Sequence, residues 1–145
     1  VQYFDEDKNL IITGAVDDVW FNLDTDELIV VDYKATAKNG EVSLDADWQD
    51  GYRRQMDIYQ WLLRKNGFKV SNEGYFVYCN GDKSKESFSN KVEFKVSVLK
   101  YSGNTKWIDK ALKDIKKLLD GDLVPELNLE CSYCSYNDSI TSILN

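Results

Sequence analysis

An acid and a base stand two residues apart at the end of an apolar run, Leu28-Ile-Val-Val-Asp32-Tyr-Lys34-Ala-Thr36. A β-branched run of this kind reads as a buried strand. Side chains alternate across a strand, so Asp32 and Lys34 share one face and Tyr33 takes the other. Burying either charge alone is costly, so the pair requires a partner, a metal or a cleft. The plainer alternative is a strand end emerging into water with a surface ion pair. A second acid, Asp17, follows Gly14-Ala-Val in the preceding apolar stretch. Gln55 and Tyr59 are four residues apart in a helical pattern and share a face. The chain contains no histidine. That excludes Ser-His-Asp and Cys-His catalysis and His-ligated zinc within it, and leaves carboxylates, Lys, Tyr and Cys for any acid–base or metal chemistry.

The elements that must position these residues follow from apolar periodicity. Residues 10–16 read as a strand containing Gly14, where an interior glycine signals a bulge or a close backbone approach. Residues 19–23 continue as strand, and the polar Asp24-Thr25-Asp26-Glu27 turns the chain into the strand that begins at Leu28. The result is a β-hairpin with Asp17 near one end of its first strand and Asp32 near the same end of its second. A polar loop over 35–46 leads to a helix over 48–66, with Tyr52, Met56, Tyr59, Leu62 and Leu63 at helical spacing and Asn66-Gly67 as the stop. Arg53, Arg54, Arg64 and Lys65 make that helix locally basic. Strands are expected over 74–79 and 92–99, separated by a charged loop over 80–90. An amphipathic helix is expected over 107–119 with Ile108, Leu112, Ile115 and Leu119 on its stripe. The tail from residue 123 has little pattern apart from Cys131-Ser-Tyr-Cys134. Strand, strand, helix, strand, strand, helix predicts an α/β fold with a mixed sheet and a crossover after the second strand.

At 145 residues, with four Trp, nine Tyr, six Phe and one Pro, the composition is that of a globular domain with a real core. One domain over 1–145 is expected. The chain opens at Val1 rather than Met, which suggests excision from a longer chain that carries a further N-terminal element. No apolar run approaches a membrane span and no signal peptide is visible, so no membrane partner is expected. Three cysteines, Cys79, Cys131 and Cys134, do not make a secreted disulfide framework, and a cytoplasmic location is the simplest expectation. The formal net charge of −7 argues against broad electrostatic binding to nucleic acid. It leaves room for a local basic groove or for a metal that bridges to phosphate.

Gly14-Ala-Val-Asp17, then Asp32-Tyr33-Lys34, then Gln55-Met-Asp-Ile-Tyr59, in this order and on these elements, resemble the PD-(D/E)XK nuclease superfamily. The chain is most similar to its RecB-type branch, which includes CRISPR-associated adaptation nucleases. The resemblance implies a restriction-endonuclease-like core, with a mixed central sheet flanked by helices. It implies a Mg²⁺- or Mn²⁺-dependent deoxyribonuclease that hydrolyses phosphodiesters with a metal-activated water. DNA is the implied partner, and a larger helicase–nuclease, phage or CRISPR-type assembly the implied setting. By the resemblance, Asp17 and Asp32 are metal ligands, Tyr33 lends its backbone carbonyl to the metal, and Lys34 is the catalytic lysine. Gln55 and Tyr59 match a QxxxY motif that supports the active site and contacts the DNA strand.

The chemistry suits those roles. Mg²⁺ takes carboxylate oxygens and keeps several waters. Lysine can orient water or stabilise developing negative charge. Many RecB-type relatives hold an iron–sulfur cluster with one early and three late cysteines. Here no third cysteine follows Cys134 and none precedes the first motif, so no cluster is expected. The competing expectation is a nuclease-like module that binds DNA or a protein partner without cutting. The acidic charge favours it, and the retention of Asp17, Asp32 and Lys34 together counts against it.

Overall fold

A computed structural model describes residues 1–84, 90–122, 125–128 and 130–144. They divide into two compact units, Val1–Lys110 and Ala111–Asn145. The first unit opens with a strand absent from the sequence expectation, β1 (Gln2–Asp5), paired antiparallel with β2 (Leu10–Thr13). Asp5 ties their turn, accepting the Lys8 amide at 3.1 Å and the Lys8 ammonium at 2.6 Å.

The central sheet holds β3 (Asp18–Asn22), β4 (Glu27–Thr36), β5 (Glu73–Gly81) and β6 (Phe94–Ser102) in that spatial order. β3 and β4 form the expected antiparallel hairpin, with Val19 opposite Val30. β4 and β5 are parallel, with Asp32 opposite Phe76 and Lys34 opposite Tyr78. β5 and β6 are antiparallel. A parallel neighbour requires a crossover. Here the crossover is α1 (Asp50–Lys65), preceded by a 3₁₀ turn at Asp47–Gln49. Asn66 caps α1, and Gly67 at φ +86° supplies the left-handed stop that its sequence pair promised. The mixed sheet with its crossover is the restriction-endonuclease-like α/β arrangement expected from the sequence.

Hydrophobic burial fastens α1 to one face of this sheet. Met56, Tyr59 and Leu63 pack with Val30 of β4 and with Phe76 and Tyr78 of β5. Gly74 leaves room for Met56, since a Cβ there would stand 2.6 Å from its sulfur. A buried acid adds polar ties. Asp57 of α1 accepts from the Tyr101 hydroxyl at 3.1 Å, the Asn104 amide at 2.9 Å and the Trp107 indole at 2.9 Å. The helix is thereby bonded to the end of β6 and to the segment beyond it. Tyr3 meets Trp61 edge to face at 5.4 Å, which docks the β1–β2 hairpin on α1.

The loop expected over 80–90 starts later than its sequence suggests, because Asn80 and Gly81 still belong to β5, and its residues 85–89 lie outside the described ones. The second helix is α2 (Ile108–Leu119), as expected, and the division between the two units falls inside it. In the second unit a further helix, α3 (Ser132–Leu144), occupies the tail in which the sequence showed little pattern apart from Cys131-Ser-Tyr-Cys134. Its hydroxyls bond back to its own carbonyls, Ser139 to Ser135 at 2.8 Å and Thr141 to Asn137 at 2.9 Å. Of that tail, residues 123, 124, 129 and 145 lie outside the described ones. Among the described residues, no helix is long and apolar enough to cross a membrane.

Candidate active site

The site forms where β4 leaves the core. Val30 and Val31 are fully buried, Asp32 is 1 % exposed, and Tyr33 is half exposed. Alternation sends Asp32 and Lys34 to one face, as their spacing predicted, and Lys34 there meets α1. Lys34 Nζ stands 2.6 Å from Asp32 Oδ2. The contact is an ion pair at hydrogen-bonding length, and among the described residues no donor reaches Asp32 Oδ1. Burial pushes the Asp32 carboxyl above its usual range, the Lys34 ammonium pulls it down, and Asp17 pushes it up again. A buried carboxylate oxygen without a donor, as Oδ1 is here, is an uncommon arrangement, because such atoms are nearly always hydrogen-bonded.

Asp17 differs from its expectation in one respect. It lies in the connection between β2 and β3 rather than on a strand, because the first strand ends at Thr13 instead of running to residue 16. Asp18 begins β3 opposite Val31, so Asp17 sits one residue beyond the ladder, beside Asp32. Its Oδ2 accepts the Tyr33 amide at 3.0 Å, taking the place of a ladder bond. Asp18, its neighbour, turns to the other face. The Tyr33 hydroxyl donates to it at 2.8 Å and, with the Val19 amide, holds its carboxyl below the usual range.

α1 supplies the opposite wall. Lys34 Nζ donates to Gln55 Oε1 at 3.1 Å, and Gln55 Nε2 donates to the Tyr59 hydroxyl at 2.7 Å. That amide orientation is the one in which a lysine donor meets an acceptor. Asp32, Lys34, Gln55 and Tyr59 are thus linked in one chain of contacts. Gly14 belongs to the same construction. A Cβ there would stand 2.8 Å from the Tyr59 ring, so the close approach signalled by the glycine is to the residue that holds Gln55.

Sequence reasoning missed Tyr52 as part of the site and saw it only as a residue on the buried stripe. Its ring centroid lies 4.4 Å from Lys34 Nζ. The available signal was its spacing, since Tyr52, Gln55 and Tyr59 fall at i, i+3 and i+7 on one side of α1. A groove of about 920 Å³ borders the site and shares Gln55 and Tyr59 with it. Gly14, Ala15, Gly51 and Arg54 are among its other linings. Nothing occupies a Cβ's surroundings at Gly51, and Arg54 is largely exposed in an ion pair with Asp50 at 2.6 Å.

Among the described residues no group of three or more Asp, Glu, Cys or His forms a ready metal cage. The residues present nevertheless suit one hard divalent cation. Two adjacent carboxylates, one buried with an oxygen that no donor serves, make an oxygen donor set of the kind Mg²⁺ or Mn²⁺ takes with water completing the shell. Cys79 is half-buried in β5, whereas Cys131 and Cys134 stand at the start of α3 in the other unit.

The family profile of the PD-(D/E)XK nuclease superfamily matches residues 2–139 of the chain. No curated protein and no solved structure gives a match. The profile covers nearly the whole sequence and spans the strand, crossover and helix that build the site. The chain belongs to the PD-(D/E)XK nuclease superfamily.

Proposed function

We propose that this domain is a metal-dependent deoxyribonuclease that hydrolyses phosphodiester bonds at the end of β4. The observation that carries the reading is the buried Asp32 carboxyl, which has a lysine 2.6 Å from Oδ2 and no hydrogen-bond donor on Oδ1. Asp17 and Asp32 would hold Mg²⁺ or Mn²⁺, with the Tyr33 backbone carbonyl as a third protein ligand. The bound ion would supply Lewis acidity toward a phosphate oxygen and activate water for attack.

The protein groups then have distinct tasks. Asp17, fixed by the Tyr33 amide, brings the second carboxylate beside the first. Lys34 carries a compact positive charge suited to orienting water or to stabilising negative charge that builds on phosphorus oxygens. Gln55 aims that ammonium, and the Tyr59 hydroxyl fixes Gln55. The groove past Gly14, Gly51 and Arg54 gives an extended strand a route to these groups. Holding the scissile phosphate in register with the ion and Lys34 removes much of the entropic part of the barrier.

The test is cleavage of single- and double-stranded DNA by the purified protein, with Mg²⁺, with Mn²⁺ and with chelator. Cleavage that requires the ion and disappears in Asp32→Asn supports the reading. A protein that binds DNA and the ion but leaves the strand intact would make it a non-cleaving module.

A further inference from the structure

We propose that Tyr52 is a positioning residue for Lys34, holding the ammonium through the face of its ring. The inference rests on the nuclease reading above, in which Lys34 acts on the reacting phosphate or water. Lysine is a poor positional device by itself, because its four-carbon stem rotates freely and its ammonium has no preferred plane. Here three contacts restrict that freedom. Asp32 Oδ2 lies 2.6 Å away, Gln55 Oε1 lies 3.1 Å away, and the Tyr52 ring centroid lies 4.4 Å away. The last distance is well within cation–π range. The Lys34 side chain is only 17 % exposed, so the ring meets a largely dehydrated ammonium, where such a contact is strongest.

The three holders differ in what they do once a divalent cation arrives. Asp32 would then share its charge with the ion and hold Lys34 less firmly. Gln55 and Tyr52 are neutral. They keep the ammonium in place without cancelling the charge that the reaction uses. An anionic holder at position 52 would keep the geometry and spend the charge. Tyr52 is itself packed against the core, so its ring is fixed before Lys34 meets it.

The experiment uses the whole chain and two readouts. The first is the proton shift of the Lys34 ε-methylene, assigned by its loss in Lys34→Arg. It should lie upfield from ring current in wild type and in Tyr52→Phe, and at the ordinary lysine position in Tyr52→Leu. The second is the kcat–KM split for DNA cleavage. Tyr52→Phe keeps the ring face and should retain far more of kcat than Tyr52→Leu, which should lose about tenfold with KM little changed. Should Tyr52→Leu fold poorly, successive fluorination of a phenylalanine at this position drains the ring face at nearly constant volume, and kcat should fall in step. An ordinary ε-methylene shift in wild type, or a kcat indifferent to fluorination in a cleaving enzyme, would overturn the proposal. An upfield shift in a protein that never cleaves supports the contact and sinks the nuclease reading instead.

Discussion

Lys34→Ala should destabilise the protein in a pH-dependent way. The substitution removes the cation 2.6 Å from Asp32 Oδ2 and leaves a carboxyl whose oxygens have no donor. The two side chains are 17 % and 2 % exposed, so solvent screens little of the interaction. Breaking a buried pair by removing one partner costs about 3–5 kcal/mol. In a chain of this size that corresponds to a fall in Tm of roughly 6–20 °C. The carboxyl has one escape, which is to take up a proton. Burial already pushes Asp32 above the usual carboxylate range, and Lys34 is the group that pulls it down. A carboxyl raised in the folded state binds its proton more tightly folded than unfolded. Stability is therefore present below the unfolded value and is lost as pH rises through the folded one. Without Lys34 that loss extends to higher pH. Denaturant unfolding in chelator at pH 4 and pH 7 measures it, with a small gap between variant and wild type at acid pH and the full gap at neutral pH. Asp32→Asn in the Lys34→Ala background should recover part of the loss, since it removes the unpaired charge. A Lys34→Ala protein within about 0.5 kcal/mol of wild type at both pH values would refute the buried-pair account.

Other consequences follow from the same contacts. Asp57→Ala orphans the Tyr101 hydroxyl, the Asn104 amide and the Trp107 indole together, and should cost about 3 kcal/mol in denaturant unfolding without removing Mn²⁺ binding. Burial, with Asp57 alongside, pushes the Tyr101 hydroxyl up to about 12. The folded state thus keeps a proton that the unfolded chain releases near pH 10, and stability should decline between roughly pH 10 and 12. Tyr101→Phe should flatten that decline, as followed by unfolding against pH. Calorimetric titration should show Mn²⁺ binding that is abolished in Asp32→Ala and weakened in Asp17→Ala. Equal binding by wild type and Asp32→Ala would remove the ion from β4.

The legible parts of this chain are those where burial leaves a period in the sequence. The apolar run at Leu28–Val31 announces β4, and the spacing of Met56, Tyr59 and Leu63 announces α1. From those two, the shared face of Asp32 and Lys34 and the Gln55–Tyr59 pair follow by geometry alone. β1 escaped because four residues, two of them polar, carry too little alternation to stand out. α3 escaped because Ser, Thr, Asn and Asp compete locally for backbone bonds and weaken a helical pattern. Asp17 was expected on a strand and lies beyond one, since the end of the ladder at Thr13 is set by pairing with β1 and not by residue type. The contact of Tyr52 with Lys34 depends on how the crossover lays α1 over β4, which no local spacing encodes.

At a reaction centre on the end of β4, Lys34 should serve the chemistry rather than the binding. Parallel measurement of DNA cleavage with Mg²⁺, DNA affinity and Mn²⁺ affinity tests it directly in wild type, Lys34→Ala and Lys34→Arg, at a temperature where all three are folded. Wild type should cleave, and Lys34→Ala should lose about 10²–10³ in rate while binding DNA and Mn²⁺ nearly as well. Lys34→Arg should fail to restore the rate, because the wider guanidinium fork does not replace a compact ammonium. Cleavage by Lys34→Ala at the wild-type rate would contradict it.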